Sequence, residues 1–525
     1  MIFNSLPFAV FFAALFLTYY ITPLKFRTYI LLIFSVVFYI FSGVENLPFI
    51  LLALATAYLA ARKMGSIYAE MEKIIARDRL TGKEKAALQQ TYKRRCKKYL
   101  LPALVIILGM LLLSKAGNMA VSAFAAYMRE GEGVITVIVP LGISYYTFSL
   151  VGYVLDVYWQ KMKYVKDWGR LALGVFYFPQ ILQGPISKYS QLLPQFEQGV
   201  RFDFDRICLA LQLMLWGYFK KLVIADRLSV FVTGVFGGDN QIAKTPAYVI
   251  ALALFFGAMQ LYADFSACMD IASGISEIFG IALPRNFNQP FMSRSIAEFW
   301  RRWHITLGAW FKDYVYLPLA TSRWLIHVNS FWRKKTSVRV GQAVSAVIPL
   351  AAVWLLTGLW HGTGWNYVLW GTYYGLIIIC TTIWAPDIKK LTGFLRINTE
   401  SYTWGLFQMV RTTALFCIGR LITLPASLSD SVQAFGVLMD LAGWLKKGDI
   451  FSYGLDSAGV FLGAAGVFLM LLADKLQAKE SVRTILQRQN IIFRWTLFWG
   501  AMFIILFCGI YGPGYEQVEF VYMNF

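Results

Sequence analysis

Apolar runs of roughly bilayer-crossing length recur along the whole of this 525-residue chain, and few folds are open to a chain built that way. A span surrounded by lipid must satisfy its backbone polar groups internally, so helices are expected, each needing about 20 residues to cross. Runs near 7–22, 28–42, 47–61, 99–114, 134–158, 207–235, 246–266, 344–360, 366–384, 404–424, 457–473 and 495–511 predict about a dozen spans. With 58% of residues hydrophobic and 15% charged, the chain does not read as a string of soluble modules. The expectation is an all-α polytopic membrane protein. It forms a single transmembrane domain over 1–515, with 516–525 as a short tail.

The first apolar run has no Lys or Arg before it and no small-residue cleavage site after it, so it reads as a retained helix rather than a signal peptide. The six cysteines, Cys96, Cys208, Cys268, Cys380, Cys417 and Cys508, stand singly. They imply neither a disulfide framework nor a metal site. The net charge of +20 is concentrated between spans. Residues 62–98 hold twelve Lys or Arg against four acids, and 294–339 hold nine against Glu298 and Asp313. This is the distribution of positive-inside segments that can also touch anionic lipid, not of a nucleic-acid surface. With 62–98 in the cytoplasm, alternation puts the clusters at 161–170, 294–339, 389–396 and 475–494 inside as well. Both termini then lie on the extracytoplasmic side of a cell membrane.

Two stretches break the pattern of simple spans. VFYFPQILQGPIS (175–187) is apolar but interrupted by Pro179, Gly184 and Pro185, so it reads as a re-entrant segment or a short buried connector. RSIAEFWRRWHITLGAWFKDYVYLPL (294–319) alternates aromatic residues with charges, as helices lying at the membrane interface do. It carries His304, one of three histidines. A second, His361, closes the apolar run 344–360, within WHGTGWNYVLWG. An ionisable side chain at that depth usually faces a cavity or reaction path; its plain alternative is a histidine hydrogen-bonded between helices. His327 reads as a solvated surface residue. Asp156, Asp264 and Asp270 read as structural hydrogen-bonding groups. Lys220 and Lys221 fit either contact with donor phosphates or a positive-inside or lipid-facing role.

Six ordered blocks carry a resemblance: VPLGISYYTFSLVGYVLDVY (139–158), YFPQILQGPISK (177–188), GYFKKLVIADRL (217–228), LYADFSACMDIASGISEIFG (261–280), LPRNFNQPFMSRSIAEFWRRWHITLGAWFKDYVYLPL (283–319) and GLWHGTGWNYVLWGTYYG (358–375). Together they resemble the membrane-bound O-acyltransferase (MBOAT) family. Within that family they resemble the bacterial branch that modifies surface polysaccharides, which includes the alginate O-acetyltransferase membrane subunit and the membrane protein of teichoic-acid D-alanylation. Where that branch usually has Gly-Tyr-Ser-Asp-like residues this chain reads ACMD (267–270), and where it often has Phe-Arg-Ala it has Gly419-Arg420-Leu421. These departures leave the subfamily and the acceptor open.

The resemblance implies a ring of helices, with re-entrant and interfacial helices, around a central tunnel. It implies transfer of an acyl group, acetyl by preference, from a cytoplasmic thioester to a hydroxyl of an extracellular polysaccharide or cell-wall polymer. The family's catalytic histidine maps onto His361 and its second polar position onto His304, with Trp303, Trp360, Asn366, Lys220 and Lys221 as candidate donor or tunnel residues. A base must take the hydroxyl proton, and imidazole titrates near neutrality. The donor is acetyl-CoA or an acyl carrier protein, with no tightly bound cofactor and no metal expected. The segment Phe520-Val521-Tyr522-Met523-Asn524-Phe525 resembles the Phe-x-Tyr-x-x-Phe end of the small protein that accompanies teichoic-acid D-alanylation. Tyr522 is thereby a candidate acyl relay to a separate extracellular SGNH or esterase-like transferase. The other reading of those aromatic residues is a membrane-boundary anchor. Beside acetyl transfer stand D-alanyl transfer to teichoic acid and, in another class, a transporter of glycan intermediates.

Overall fold

The computed structural model describes residues 3, 5–128, 140–197, 199–237, 242–362, 364–511 and 519–520. Among these no β-strand forms, and each of the twelve apolar runs overlaps a helix, with 134–139 of the fifth run lying outside the described residues. Eight helices among the described residues are long and apolar enough to cross a membrane, from Val44–Arg77 to Ile491–Cys508. The chain is therefore an all-α, multi-pass membrane protein. Two compact units divide it: Met1–Ala210 with Ala272–Pro284, and Leu211–Ile271 with Arg285–Phe525.

In the first unit the basic stretch expected as a loop is mostly helix. Leu47–Arg77 and Gly82–Met128 run well past their apolar runs and leave only a short turn between them. Each arm keeps a buried stripe at helical spacing, Met64, Tyr68 and Met71 on one and Tyr92, Cys96 and Leu100 on the other, so the charged remainder can face outward. The Tyr68 hydroxyl donates to the Tyr158 carbonyl at 2.7 Å and fixes the arm to its neighbour. The interrupted stretch 175–187 is a buried connector. The helix Trp168–Phe176 stops, and a single turn, Phe178–Ile181, follows with Pro179 in its first turn, where a missing N–H costs nothing. Gln180 stitches the break: its amide nitrogen donates to the Pro185 carbonyl at 2.8 Å and its oxygen accepts from the Tyr145 hydroxyl at 3.1 Å. Broken backbone inside an apolar layer survives only with such partners.

In the second unit the helices Val338–His361 and Trp365–Phe394 form a tight hairpin. A Cβ on Gly371 would lie 2.5 Å from the Trp354 carbonyl oxygen, and one on Gly358 would lie 2.6 Å from that of Tyr367. Small residues of this kind let membrane helices approach where the hydrophobic effect supplies little attraction between them. The helix Phe204–Phe236 widens midway into a π-type turn over Phe219–Ala225, closed by the Asp226 N–H donating to the Lys221 carbonyl. Such a turn places residues five apart on one face.

Candidate active site

His361 is the last residue of its helix, buried, with its ring 4.8 Å from that of Trp370 and 4.7 Å from that of Trp360. The close glycine contact between the two helices is what brings Trp370 to it. The Trp360 ring also meets the His304 imidazole in an edge contact with centroids 6.0 Å apart. Residues separated by 57 positions of sequence thus converge on one indole. Asn366 sits half-buried on the first turn of the following helix, and Thr363 lies outside the described residues.

The segment around His304 packs its aromatic residues against the protein. The helix Ile296–Arg302 is started by Ser295, whose hydroxyl accepts from the Glu298 N–H, while Glu298 reaches back to the Arg294 N–H at 2.9 Å. Its aromatic residues turn inward: Phe299 and Trp303 are buried, and Trp300 meets Trp354, Trp370 and Tyr374 with centroids 5.2, 5.5 and 4.9 Å away. His304 then adopts φ 46° and ψ 52°, a left-handed conformation that costs a non-glycine residue about 1 kcal/mol or more. Extended residues 286–288 brace it. The Asn288 N–H donates to the Arg302 carbonyl, the Ile305 N–H to the Asn286 carbonyl, and the Asn286 side chain accepts from both the N–H and hydroxyl of Thr306. Burial pushes the His304 imidazole well below its ordinary range, to about 3, so it is neutral near pH 7.

The His304 ring also stands edge-on to Phe265, centroids 4.9 Å apart. On either side of Phe265 in sequence, Asp264 and Ser266 hold the two candidate lysines. Lys221 is fully buried and 2.8 Å from both Asp226 and Asp264, while Lys220 lies 2.9 Å from Asp270 and 2.7 Å from the Ser266 hydroxyl. Both ammonium groups therefore point into protein rather than lipid. Nearby in the same unit the Tyr262 hydroxyl donates to Asp474 at 2.7 Å. Asp226, Asp474 and Asn286 had no signal in the sequence beyond being polar within apolar surroundings. Among the described residues no group of three His, Cys, Asp or Glu side chains is disposed to hold a metal ion. His327 is exposed on the helix Arg323–Lys335, its Nδ1 2.6 Å from the Arg323 carbonyl oxygen. Tyr522 lies outside the described residues, but Phe520 is described and buried.

Comparison with known proteins bears on the family rather than on these residues. The profile of the membrane-bound O-acyltransferase family matches residues 175–333. The "Probable alginate O-acetylase AlgI" of Pseudomonas syringae pv. tomato is 29% identical over 91% of this chain and 83% of its own length. The "Peptidoglycan O-acetyltransferase" of Helicobacter pylori is 28% identical over 72% of this chain and 70% of its own. The "Teichoic acid D-alanyltransferase" of Bacillus subtilis is 30% identical over 48% of this chain and 60% of its own.

Proposed function

This chain belongs to the membrane-bound O-acyltransferase family, and from that premise we propose that it transfers an acetyl group from a cytoplasmic thioester, acetyl-CoA or an acyl carrier protein, toward a polysaccharide or cell-wall hydroxyl on the outer face. The observation that carries this reading is the convergence of His304 and His361 on Trp360 inside an apolar, aromatic wall. His361 acts as general base. It takes the proton as an acceptor oxygen adds to the thioester carbonyl, the carbon–sulfur bond breaks, and the departing thiolate recovers that proton from the imidazolium. A neutral His304 suits a polarising or orienting role, since it does not compete for the proton near pH 7.

Tyr522 serves as an intermediate acceptor. A phenol ionises far more readily than a sugar hydroxyl, with a pKa of about 10, so its ester stays activated for a second transfer to the polymer. An extracellular SGNH or esterase-like transferase would catalyse that second step. In this scheme the termini lie outside, a placement the distribution of basic clusters supports. D-Alanine is the alternative group, supported by similarity to the teichoic acid enzyme.

The deciding experiment is mass analysis of the C-terminal peptide from native cells, wild type and His361→Ala, with transfer measured in parallel. An added mass on Tyr522 that vanishes in the variant supports the relay, and its size names the group. Loss of transfer with an unmodified tail in both leaves His361 acting directly on the final hydroxyl. Undiminished transfer in His361→Ala defeats the assignment of the base and revives the transporter reading.

A further inference from the structure

Lys221 is a fully buried cation held by two carboxylates, and one of its contacts has no part in acyl transfer as proposed. Its ammonium carries three donor hydrogens. Two face Asp226 and Asp264 at 2.8 Å, and the third reaches the backbone carbonyl of Glu519 at 3.4 Å. The same ammonium lies 4.6 Å from the ring centroid of Phe520, which is only 1% exposed. The chain is tied to this turn of helix at a second point: the Ile510 N–H donates to the Leu222 carbonyl at 3.0 Å, and Arg227 donates to the Cys508 carbonyl. The π-type turn allows both attachments. It brings Lys221 and Asp226 onto one face and offers the Leu222 carbonyl to a partner outside the helix.

We propose that Lys221 is the positioning residue of the C-terminal tail: the Lys221–Asp226–Asp264 triad is a socket that seats the Phe520 ring and the Glu519 carbonyl. The design suits a reversible seat. The lysine keeps both ion pairs whether or not the tail is present, so withdrawal breaks one long hydrogen bond and one ammonium–ring contact but no salt bridge. The vacated third donor then needs another partner, and water entering with the tail's departure can supply one. A cation desolvated by burial also attracts a ring face more strongly than an exposed one. The seat is specific for an aromatic residue at 520, because a branched aliphatic side chain fills the volume without offering a negative face. Its purpose rests on the relay reading, but the contact does not.

The test is hydrogen–deuterium exchange of the peptide covering 515–525 in the full chain reconstituted in nanodiscs. Phe520→Ala is expected to speed exchange at least ten-fold, Phe520→Trp to stay near wild type, and Phe520→Leu to behave like Phe520→Ala. Lys221→Met should speed exchange as much as Phe520→Ala, with little further effect when the two are combined. Slow exchange in Phe520→Leu would make the contact simple burial and overturn the role of Lys221. Wild-type exchange in Phe520→Ala would overturn the socket altogether. If Lys221→Met fails to fold, the Ala, Leu and Trp series still decides. Tail acylation is read separately by mass: a seated tail that never carries an acyl group defeats the relay alone, and an acylated tail that exchanges freely defeats the socket alone.

Discussion

The Phe265 ring meets the His304 imidazole at 4.9 Å and 85°, on the helix turn whose neighbouring residues Asp264 and Ser266 hold Lys221 and Lys220. One short piece of helix therefore positions the second histidine and both buried cations. Phe265→Ala should leave a cavity beside His304 and cost about 3–5 kcal/mol. Because the neighbouring residues share its backbone, acyl transfer should fall with stability. Thermal melts and transfer rates of this variant, compared with Phe265→Leu, test the link. Full activity in a clearly destabilised Phe265→Ala would show that His304 does not depend on this ring.

The state of His304 predicts a pH dependence. Its imidazole is held neutral down to about 3, against an ordinary 6.5 in an unfolded chain. Above 6.5 neither state takes a proton, and this group contributes no slope. As pH falls from 6.5 toward 3 the unfolded state alone binds a proton, and stability declines by about 1.4 kcal/mol per pH unit. Melting curves between pH 7.5 and 5 should show a fall that His304→Gln removes. Parallel curves for the two proteins would refute the assignment.

Lys220 and Asp270 form a pair of which Asp270 retains some solvent contact, 27% of its side chain. Breaking a buried pair by removing one partner costs roughly 3–5 kcal/mol. Partial hydration of Asp270 should put Lys220→Met at the low end of that range. The double variant Lys220→Met/Asp270→Leu should regain much of the loss, because no uncompensated charge remains. A double variant no more stable than Lys220→Met, measured by thermal melting, would point to wider coupling through Ser266.

The hairpin makes a steric prediction. A methyl group at Gly371 meets the Trp354 carbonyl oxygen and the Gly358 backbone, neither of which can move without parting the helices. Gly371→Ala should lower the melting temperature by several degrees and reduce transfer further, since separation draws Trp370 away from His361. Gly393, beside which a Cβ meets nothing within 4 Å, is the control: Gly393→Ala should change neither.

Much of this was legible in the residues. Hydropathy placed a helix over each of the twelve apolar runs, because lipid leaves the backbone no other economy, although eight helices among the described residues, not a dozen, are long and apolar enough to cross; the block resemblance named His304 and His361, which the structure sets against one indole. The inward turn of Phe299, Trp300 and Trp303 was not legible: aromatic residues beside arginines describe a membrane boundary and a buried wall equally well, and only the partner helices decide. The charge centres were hidden for a related reason. Lys221 and Asp226 stand five apart, which on an ordinary helix puts them on different faces, and Asp264 comes from another helix 43 residues away. A sequence records charges but not the turn that makes them neighbours. The basic stretch 62–98 misled in the other direction, since its net charge hides the sparse apolar stripe that keeps it helical.

The wide turn at Phe219–Ala225 also says how this protein tolerates insertion and deletion. Elsewhere along a membrane helix, losing one residue rotates everything beyond it by about a quarter turn or more. Losing one of residues 223–225 would instead restore an ordinary helical register and leave Lys221 four residues from its aspartate, still on one face, while the Leu222 carbonyl would return to the helix's own ladder and no longer be free for the Ile510 N–H. One codon here thus separates two proteins of the same predicted topology, only one of which keeps a helix carbonyl free to hold Ile510.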